Sequence, residues 1–396
     1  MSLVINTNVS SLNAQNNLTK SQSALATATQ RLSSGLKLNS AADNAAGFAI
    51  AQRYTTQIGG LSQASANASD AINLAQTAGS ALDQVTANLQ AIRDLAVQSA
   101  NGTYTDSDRS SIDQEVQQRL AEITRIANQT TFNGSKVLDG SLGTKSFQVG
   151  ADVGQTISVN LQTSVKASAM GSIAQMETGN LSGAFQDASG NATTLDLSKI
   201  SITGTDGKSV TLAGTASNVQ DLADAINAAG VTGVSAAVDG KGGVSLFADG
   251  SFQVTDSGAA SGSAVTSGAI TSGAYVNGST TATNASGSIA VSGSLQGANV
   301  LSVNSSNALI TQVDAALKTV ADFAAQLGAV QNRFQSTIAT VAAQSTNLQA
   351  SQSTIQDADF AAETAALSKA QVLQQAGISV LAQANSNPQL ALKLLQ

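Results

Sequence analysis

A seven-residue repeat in the C-terminal third constrains this 396-residue chain more than any other feature. Val313, Val320, Leu327, Phe334, Val341 and Leu348 recur every seven residues, and Ile310, Leu317, Ala324, Gln331, Ile338 and Ser345 run beside them. Alternating steps of three and four, sustained this long, define an apolar stripe on a coiled-coil helix. A helix over 306–350 is roughly 65 Å long at ~1.5 Å rise per residue. No compact domain wraps such a rod, so it needs partner helices.

The N-terminal third supplies them. Leu18, Leu25 and Leu32 are seven apart, and Ala68, Ile72, Ala75, Gly79, Leu82, Val85, Leu89, Ile92, Ala96 and Ser99 form a longer seam. The one shortened step, Leu82 to Val85, reads as a stammer. Asn101-Gly102 is expected to stop this helix through a left-handed backbone. A third helix follows, with Ile112, Val116, Leu120 and Ile123 on one face and Arg109, Asp113, Gln117 and Arg125 on others. Asp106 and Asp108 before it read as capping residues. The period then changes to two: Phe147 and Val149, then Ile157, Val159 and Leu161, joined by the Gly150–Gly154 stretch, predict a β-hairpin. The last segment is again helical. Leu367, Ala370, Leu373, Gly377, Ile378 and Leu381 share an expected face, and Pro388 marks a break or a helix start before Leu390, Leu394 and Leu395.

Residues 168–300 differ in kind. They hold 21 of the 34 glycines, and Ser257–Val300 carries no charge. Val210 and Leu212, then Val231, Val234, Val238, Val244 and Leu246, read as short strands. Between them Ser217-Asn218-Val219-Gln220 has capping-box form, with Val219, Leu222 and Ile226 on one helix face and Gly230 as the stop. The predicted order is β-α-β-β, and 257–300 reads equally as short strands or loop. The fold class is therefore mainly α: long coiled-coil helices from both termini, a β-hairpin beside the bundle, and an inserted α+β, β-rich outer domain. The predicted domains are 1–55 with 351–396, 56–167 with 301–350, and 168–300.

Composition narrows the chemistry. There is no His and no Cys, so a Ser-His-Asp triad, a thiolate nucleophile and a His- or Cys-ligated zinc are excluded. An all-carboxylate site stays open in principle, but Asp357, Asp359 and Glu363 read as the acidic first turn of a helix. A net charge of −7 disfavours a nucleic-acid partner, which needs a basic face. No run approaches ~20 apolar residues, so no membrane span is expected, and the first residues lack the pattern of a cleaved signal peptide. No cofactor is expected.

The terminal seams are thinly apolar. Between Leu18, Leu25 and Leu32 lie mostly Ala, Ser, Gln and Thr. A lone helix pair of this kind buries too little at ~25 cal/mol per Å² to offset an ordering cost of ~1–2 kcal/mol per residue. The expectation is that both termini are disordered in the free monomer and fold when neighbouring copies of the chain cover them.

Specific motifs carry a family resemblance. SLNAQNNLTKSQSALATATQRLSSGLKLNSAADNAAGFAIAQR (11–53), LQAIRDLAVQSANGTY (89–104), FNGSKVLDG (132–140), LGAVQNRF (327–334) and DADFAAETAALSKAQVLQQAGISVLAQANSNPQLALKLL (357–395) together resemble the bacterial flagellins. SVTLAGTASNVQDLADAINAAG (209–230) looks like their IN motif. The resemblance implies a structural subunit of the extracellular flagellar filament, exported by the flagellar type III route and serving motility. Leu18, Leu25, Leu32, Leu367, Leu373, Ile378 and Leu381 are then self-assembly positions. Ile72, Leu82, Leu89, Ile92, Val313, Val320, Leu327, Phe334, Val341 and Leu348 form the bundle seam. Implied partners are copies of itself, hook-associated and cap proteins, and an export chaperone bound over 357–396. An innate immune receptor is a further implied partner, touching Gln90, Leu95 and Glu115. Ala91 stands where strongly recognised flagellins carry Arg, which weakens that last expectation.

Alternatives from the same residues are a hook–filament junction protein and, from another class, an extracellular adhesin using the middle region. Gln90, Leu95 and Glu115 also read as ordinary helix surface. The Ser/Thr-rich 257–300 stretch reads as O-glycosylated or as plain solvated loop. Phe323 and Phe334 read as core, and Arg31, Arg53 and Arg333 as inter-helix polar contacts. The flagellin-borne protease motif H-E-x-x-H needs histidines the chain lacks.

Overall fold

A computed structural model describes residues 8–181, 185–186, 192–256, 274–276, 279–282 and 288–394. The 257–273 stretch, Asn191 and Leu395, along with the side chains of Leu390 and Leu394, lie outside what is described. In chain order the elements begin with α1 (Val9–Ser34), α2 (Ala45–Ala100) and α3 (Asp106–Gln129). Four strands follow: β1 (Thr131–Phe132), β2 (Ser135–Lys136), β3 (Gly143–Gln148) and β4 (Thr156–Leu161). The middle region contains β5 (Ala174–Glu177), β6 (Leu195–Asp196), β7 (Ile200–Thr203), β8 (Ser209–Thr211), β9 (Thr215–Ala216), α4 (Val219–Ala228), β10 (Val234–Val238), β11 (Val244–Ala248) and β12 (Phe252–Asp256). Three more strands, β13 (Ala274–Val276), β14 (Ser279–Ala282) and β15 (Ser288–Ile289), precede α5 (Val303–Gln356) and α6 (Phe360–Leu394). Contacts group them into two compact units. One holds residues up to Ala68, Gln148–Thr156 and those from Gln335 on; the other holds Ser69–Phe147 and Ile157–Phe334.

In the larger unit, α2 buries Ala71, Ala75, Ala78, Leu82, Val85, Leu89, Ile92, Ala96 and Ser99. These steps alternate four and three without a fault, so the expected stammer is absent. Ile72 and Gly79 are half-buried beside the stripe, and Ala71 and Ala78 occupy it. Small alanines hold the register, and the larger Ile72 stands beside it. On α5 the buried positions include Val313, Val320, Leu327 and Phe334, as the heptad implies, with Leu309, Ala316 and Phe323 as companions. The other expected line, from Ile310 to Ser345, is half-buried or exposed. Phe334 meets Phe147 of β3 edge-to-face, with ring centroids 5.8 Å apart, an arrangement that aromatic quadrupoles favour.

The turn from α2 to α3 departs from its expected mechanism. Neither Asn101 nor Gly102 is left-handed; the only such non-glycine among the described residues is Asn133. Asn101 Oδ1 instead accepts from the Thr103 N–H at 3.1 Å. Arg109, expected off the apolar face of α3, is 5% exposed. Its guanidinium donates to the carbonyls of Ser99, Asn101 (3.1 Å) and Tyr104 (3.3 Å). The last turn of any helix leaves carbonyls without amide partners, and Arg109 covers them from the next helix. Thr105, rather than Asp106, caps α3: its hydroxyl accepts from the Asp108 N–H, and the Asp108 carboxylate accepts from the Thr105 N–H. The Thr105 hydroxyl also donates to that carboxylate at 2.7 Å, and this bond, with the one from the Thr105 N–H, holds the Asp108 carboxyl pKa below its ordinary value. The Asn133-Gly134 pair (φ 48° and 76°) joins β1 to β2, the left-handed pair that a tight hairpin demands.

The middle region is a sandwich in the same unit. A five-stranded antiparallel sheet runs β10-β11-β5-β13-β14, and a four-stranded one runs β15-β12-β7-β8. Met176, Leu246, Ile202, Val254 and Phe252 from the sheets and Leu222 and Ile226 of α4 share one core. The β-α-β-β order is present, but β8 lies in a different sheet from β10 and β11. The expected capping box at Ser217 does not form; the N-cap is Asn218, one residue later, and the Asp221 carboxylate accepts from the Ser217 N–H at 3.0 Å. Asn218 accepts from the Asp221 N–H at 2.8 Å, because its side chain reaches the third helical amide. Gly230 (φ 63°) follows the helix.

Candidate assembly surface

The smaller unit carries the terminal helices. Asn8 caps α1 by accepting from the Ser11 N–H, and the helix ends at left-handed Gly35, whose N–H bonds Arg31 O at 2.8 Å. The chain then crosses the α5–α6 junction. Lys37 N–H donates to Gln356 O at 2.7 Å, Ala358 N–H donates to Gly35 O at 2.9 Å, and Leu36 bridges Asp357. Asp43 holds the 39–40 turn by accepting from both backbone amides. Those bonds, the Ser40 amide first, lower its carboxyl pKa. Asp359 opens α6, accepting from the Ala361 and Ala362 N–H groups at 2.9 and 3.2 Å. The acidic trio is therefore dispersed: Asp359 caps, Asp357 sits in the bridge, and Glu363 faces Arg31 at 3.9 Å.

From that anchor α1 and α6 run antiparallel and packed together. Asn8 Nδ2 donates to Ala384 O at 2.8 Å at the far end, and Leu18 lies against Gly377. The covered side of α1 is Ser11, Ala14, Leu18, Ser21, Leu25, Ala28 and Leu32; on α6 it is Glu363, Leu367, Ala370, Gln374, Gly377, Leu381 and Ala384. Both follow the four–three rhythm of a coiled coil, yet few of these positions are large. The bulky apolar residues point elsewhere. Phe360 is 63% exposed and Val372 64%, and Leu373, Ile378 and Val380, with Val9 and Leu12 of α1, are also exposed. Leu373 and Ile378 thus leave the face they were expected to share with Leu367 and Leu381, because that seam advances by four and three and passes between them. The helix also continues through Pro388, where a break or a start was expected. In this unit α2 buries Ala51, Leu61, Ala64 and Ala68; Val341 of α5 is buried and Leu348 half-buried.

The remaining site residues lie in the larger unit. Gln90 is exposed, Ala91 and Leu95 are half-buried, and Glu115 is exposed, accepting from Arg119 at 2.7 Å one helical turn away. Arg93 and Asp314 join α2 to α5 through two bonds of 2.7 and 3.3 Å. No group of three or more acidic side chains among the described residues is arranged to hold a metal. No helix among them is long and apolar enough to cross a membrane.

Thinly packed terminal helices that expose large apolar side chains define a class: structural subunits completed by copies of themselves. Residues 5–142 match the bacterial flagellin N-terminal helical region, 310–395 the C-terminal helical region, and 199–250 the flagellin hook IN motif. The chain is 38% identical to the B-type flagellin of Pseudomonas aeruginosa and 40% identical to flagellin D of Vibrio anguillarum, each alignment covering 100% of both chains. A solved structure of FliC from Burkholderia pseudomallei is 30% identical, covering 66% of this chain and 99% of that one, with a TM-score of 0.39. The chain belongs to the bacterial flagellin family. It is a structural subunit that polymerises into the extracellular flagellar filament. The IN match is wider than the 209–230 motif, running from the end of the short turn before β7 to beyond β11.

Proposed function

We propose that polymerisation runs through the sides of α1 and α6 that the two helices leave uncovered. The observation that carries this is the exposure of Phe360, Val372, Leu373, Ile378 and Val380 on one helix. Copies of the chain cover these residues in the filament, while Leu18, Leu25, Leu32, Leu367 and Leu381 keep the pair in register. Leu373→Asp and Ile378→Asp variants are expected to keep the monomer's helix content by circular dichroism and to lose seeded filament growth. Amide exchange in α1 and α6 of the native chain is expected to be fast in the monomer and slow in the filament. Normal growth of both variants, or strong monomer protection, overturns this reading.

The finer organisation follows the three predicted domains, 1–55 with 351–396, 56–167 with 301–350, and 168–300. The subunit has no catalytic role and leaves the cell by the flagellar type III route. Residues 357–396 are held by an export chaperone before assembly, and hook-associated and cap proteins meet the filament's ends. Gln90, Leu95 and Glu115 contact an immune receptor weakly, since Ala91 offers no guanidinium; a lost hot-spot Arg costs ~2 kcal/mol or more. Ala91→Arg is expected to raise receptor signalling at least tenfold in dose. An unchanged dose response rules this out.

A further inference from the structure

Adjacent residues of a strand point to opposite faces of its sheet. In the five-stranded sheet Ala174, Met176, Leu246 and Ala248 enter the sandwich core. Gln175, Glu177, Ser245 and Phe247 therefore stand on the other face, where Phe247 and Ile173 pack with Ala308 of α5. This dry contact is small, and a polar group lies beside it. Glu177 and Ser245 are direct cross-strand partners, which puts their Cβ atoms about 4.5–5.5 Å apart. Asn304, in the first turn of α5, donates from Nδ2 to Glu177 Oε1 at 2.8 Å, and Gln175 Nε2 donates to the same oxygen at 2.9 Å.

The chemistry of Glu177 fixes the orientation of Asn304. An ionised carboxylate only accepts, so the amide nitrogen must face it and the amide oxygen must point away. That Oδ1 is buried without a partner from the chain, and so is the hydroxyl of Ser245, a residue with 0% exposure. Two buried oxygens left unbonded beside a carboxylate are costly, and native interiors rarely tolerate them.

We propose that Glu177, Ser245 and Asn304 bind one structural water. It donates to Asn304 Oδ1 and to the Glu177 carboxylate and accepts from the Ser245 hydroxyl, the roughly three bonds a buried water makes. A monovalent cation fits less well. The three groups sit at the start of α5, where the helix dipole presents its positive end, and Ser245 would have to give up its donor. The outer sheet is thus seated on α5 through a hydrated joint, independently of the assembly surface.

The test is Ser245→Ala in the full-length monomer, read by amide exchange of 174–177 and 244–248. With the water bound, alanine removes one of its partners, and exchange is expected to rise roughly tenfold. With the hydroxyl truly unbonded, alanine relieves it and exchange slows, which overturns the proposal. Replacing sodium chloride with choline chloride at equal ionic strength is expected to change nothing; faster exchange there assigns the site to a cation instead. A filament structure at a resolution that shows ordered water should place one peak within hydrogen-bond distance of all three groups. An empty position overturns the proposal whatever the variant does.

Discussion

Arg109 shows how much one charge-poor position can hold. It lies on α3, yet its guanidinium serves three carbonyls at and after the end of α2. Arginine suits this task because its planar fork donates in several directions at once. Removing it takes the donor from the buried Ser99 carbonyl and from two part-buried ones, and leaves a cavity. Arg109→Ala is expected to destabilise the larger unit by about 3 kcal/mol, and Arg109→Lys to recover less than half, since one ammonium cannot span three acceptors. Chemical denaturation monitored by circular dichroism checks both. Helical periodicity sets Arg109 only off the apolar face of α3, because it sees only the helix it belongs to. Its acceptors come from the preceding turn, a contact no spacing rule encodes. Leu373 and Ile378 teach the converse: they are apolar and helical, yet both are exposed on α6.

Among the elements, the helices were legible and their seams nearly so. The buried line on α2 was missed by one residue at Ile72 and Gly79, because Ala71 and Ala78 are too small to announce themselves as core. The same small residues leave room for change. A Cβ added at Gly328 in α5 meets nothing within 4 Å, and the backbone there is ordinary helix. Glycine in a helix interior costs roughly 0.5–1 kcal/mol relative to alanine. Gly328→Ala is therefore expected to stabilise the monomer by about that amount, a gain in melting temperature that calorimetry can read. Slower filament growth by the same variant would mean that a neighbouring subunit uses the space. The strands of the middle region were less legible, since runs such as Ser209–Thr211 and Thr215–Ala216 are too short to show alternation. Sheet membership in this region also depends on distant partners, such as Phe252 with Ile289, 37 residues apart, or Thr255 with Ser201, 54 apart.

At the scale of the molecule, the two compact units predict separable behaviour. Deleting 357–396 removes α6 and leaves every residue of the larger unit in place. The truncated chain is expected to keep the melting transition of the larger unit within about 2 °C, to form no filaments, and to lose capture by the export chaperone. Electron microscopy, calorimetry and co-purification read the three outcomes, and filaments of normal length from the truncated chain would contradict the assembly proposal. What the sequence determined by itself was the kind of molecule this is: heptads at both ends, a glycine-rich insert, and no residues for His- or Cys-based chemistry. Such properties are periodic or compositional, so they are written locally. Tertiary structure alone decided which stripe of each helix is covered, that Arg109 closes the α2–α3 turn, and that Glu177, Ser245 and Asn304 converge. Each of these depends on groups far apart in the chain or on different elements, and only packing brings them within bonding distance.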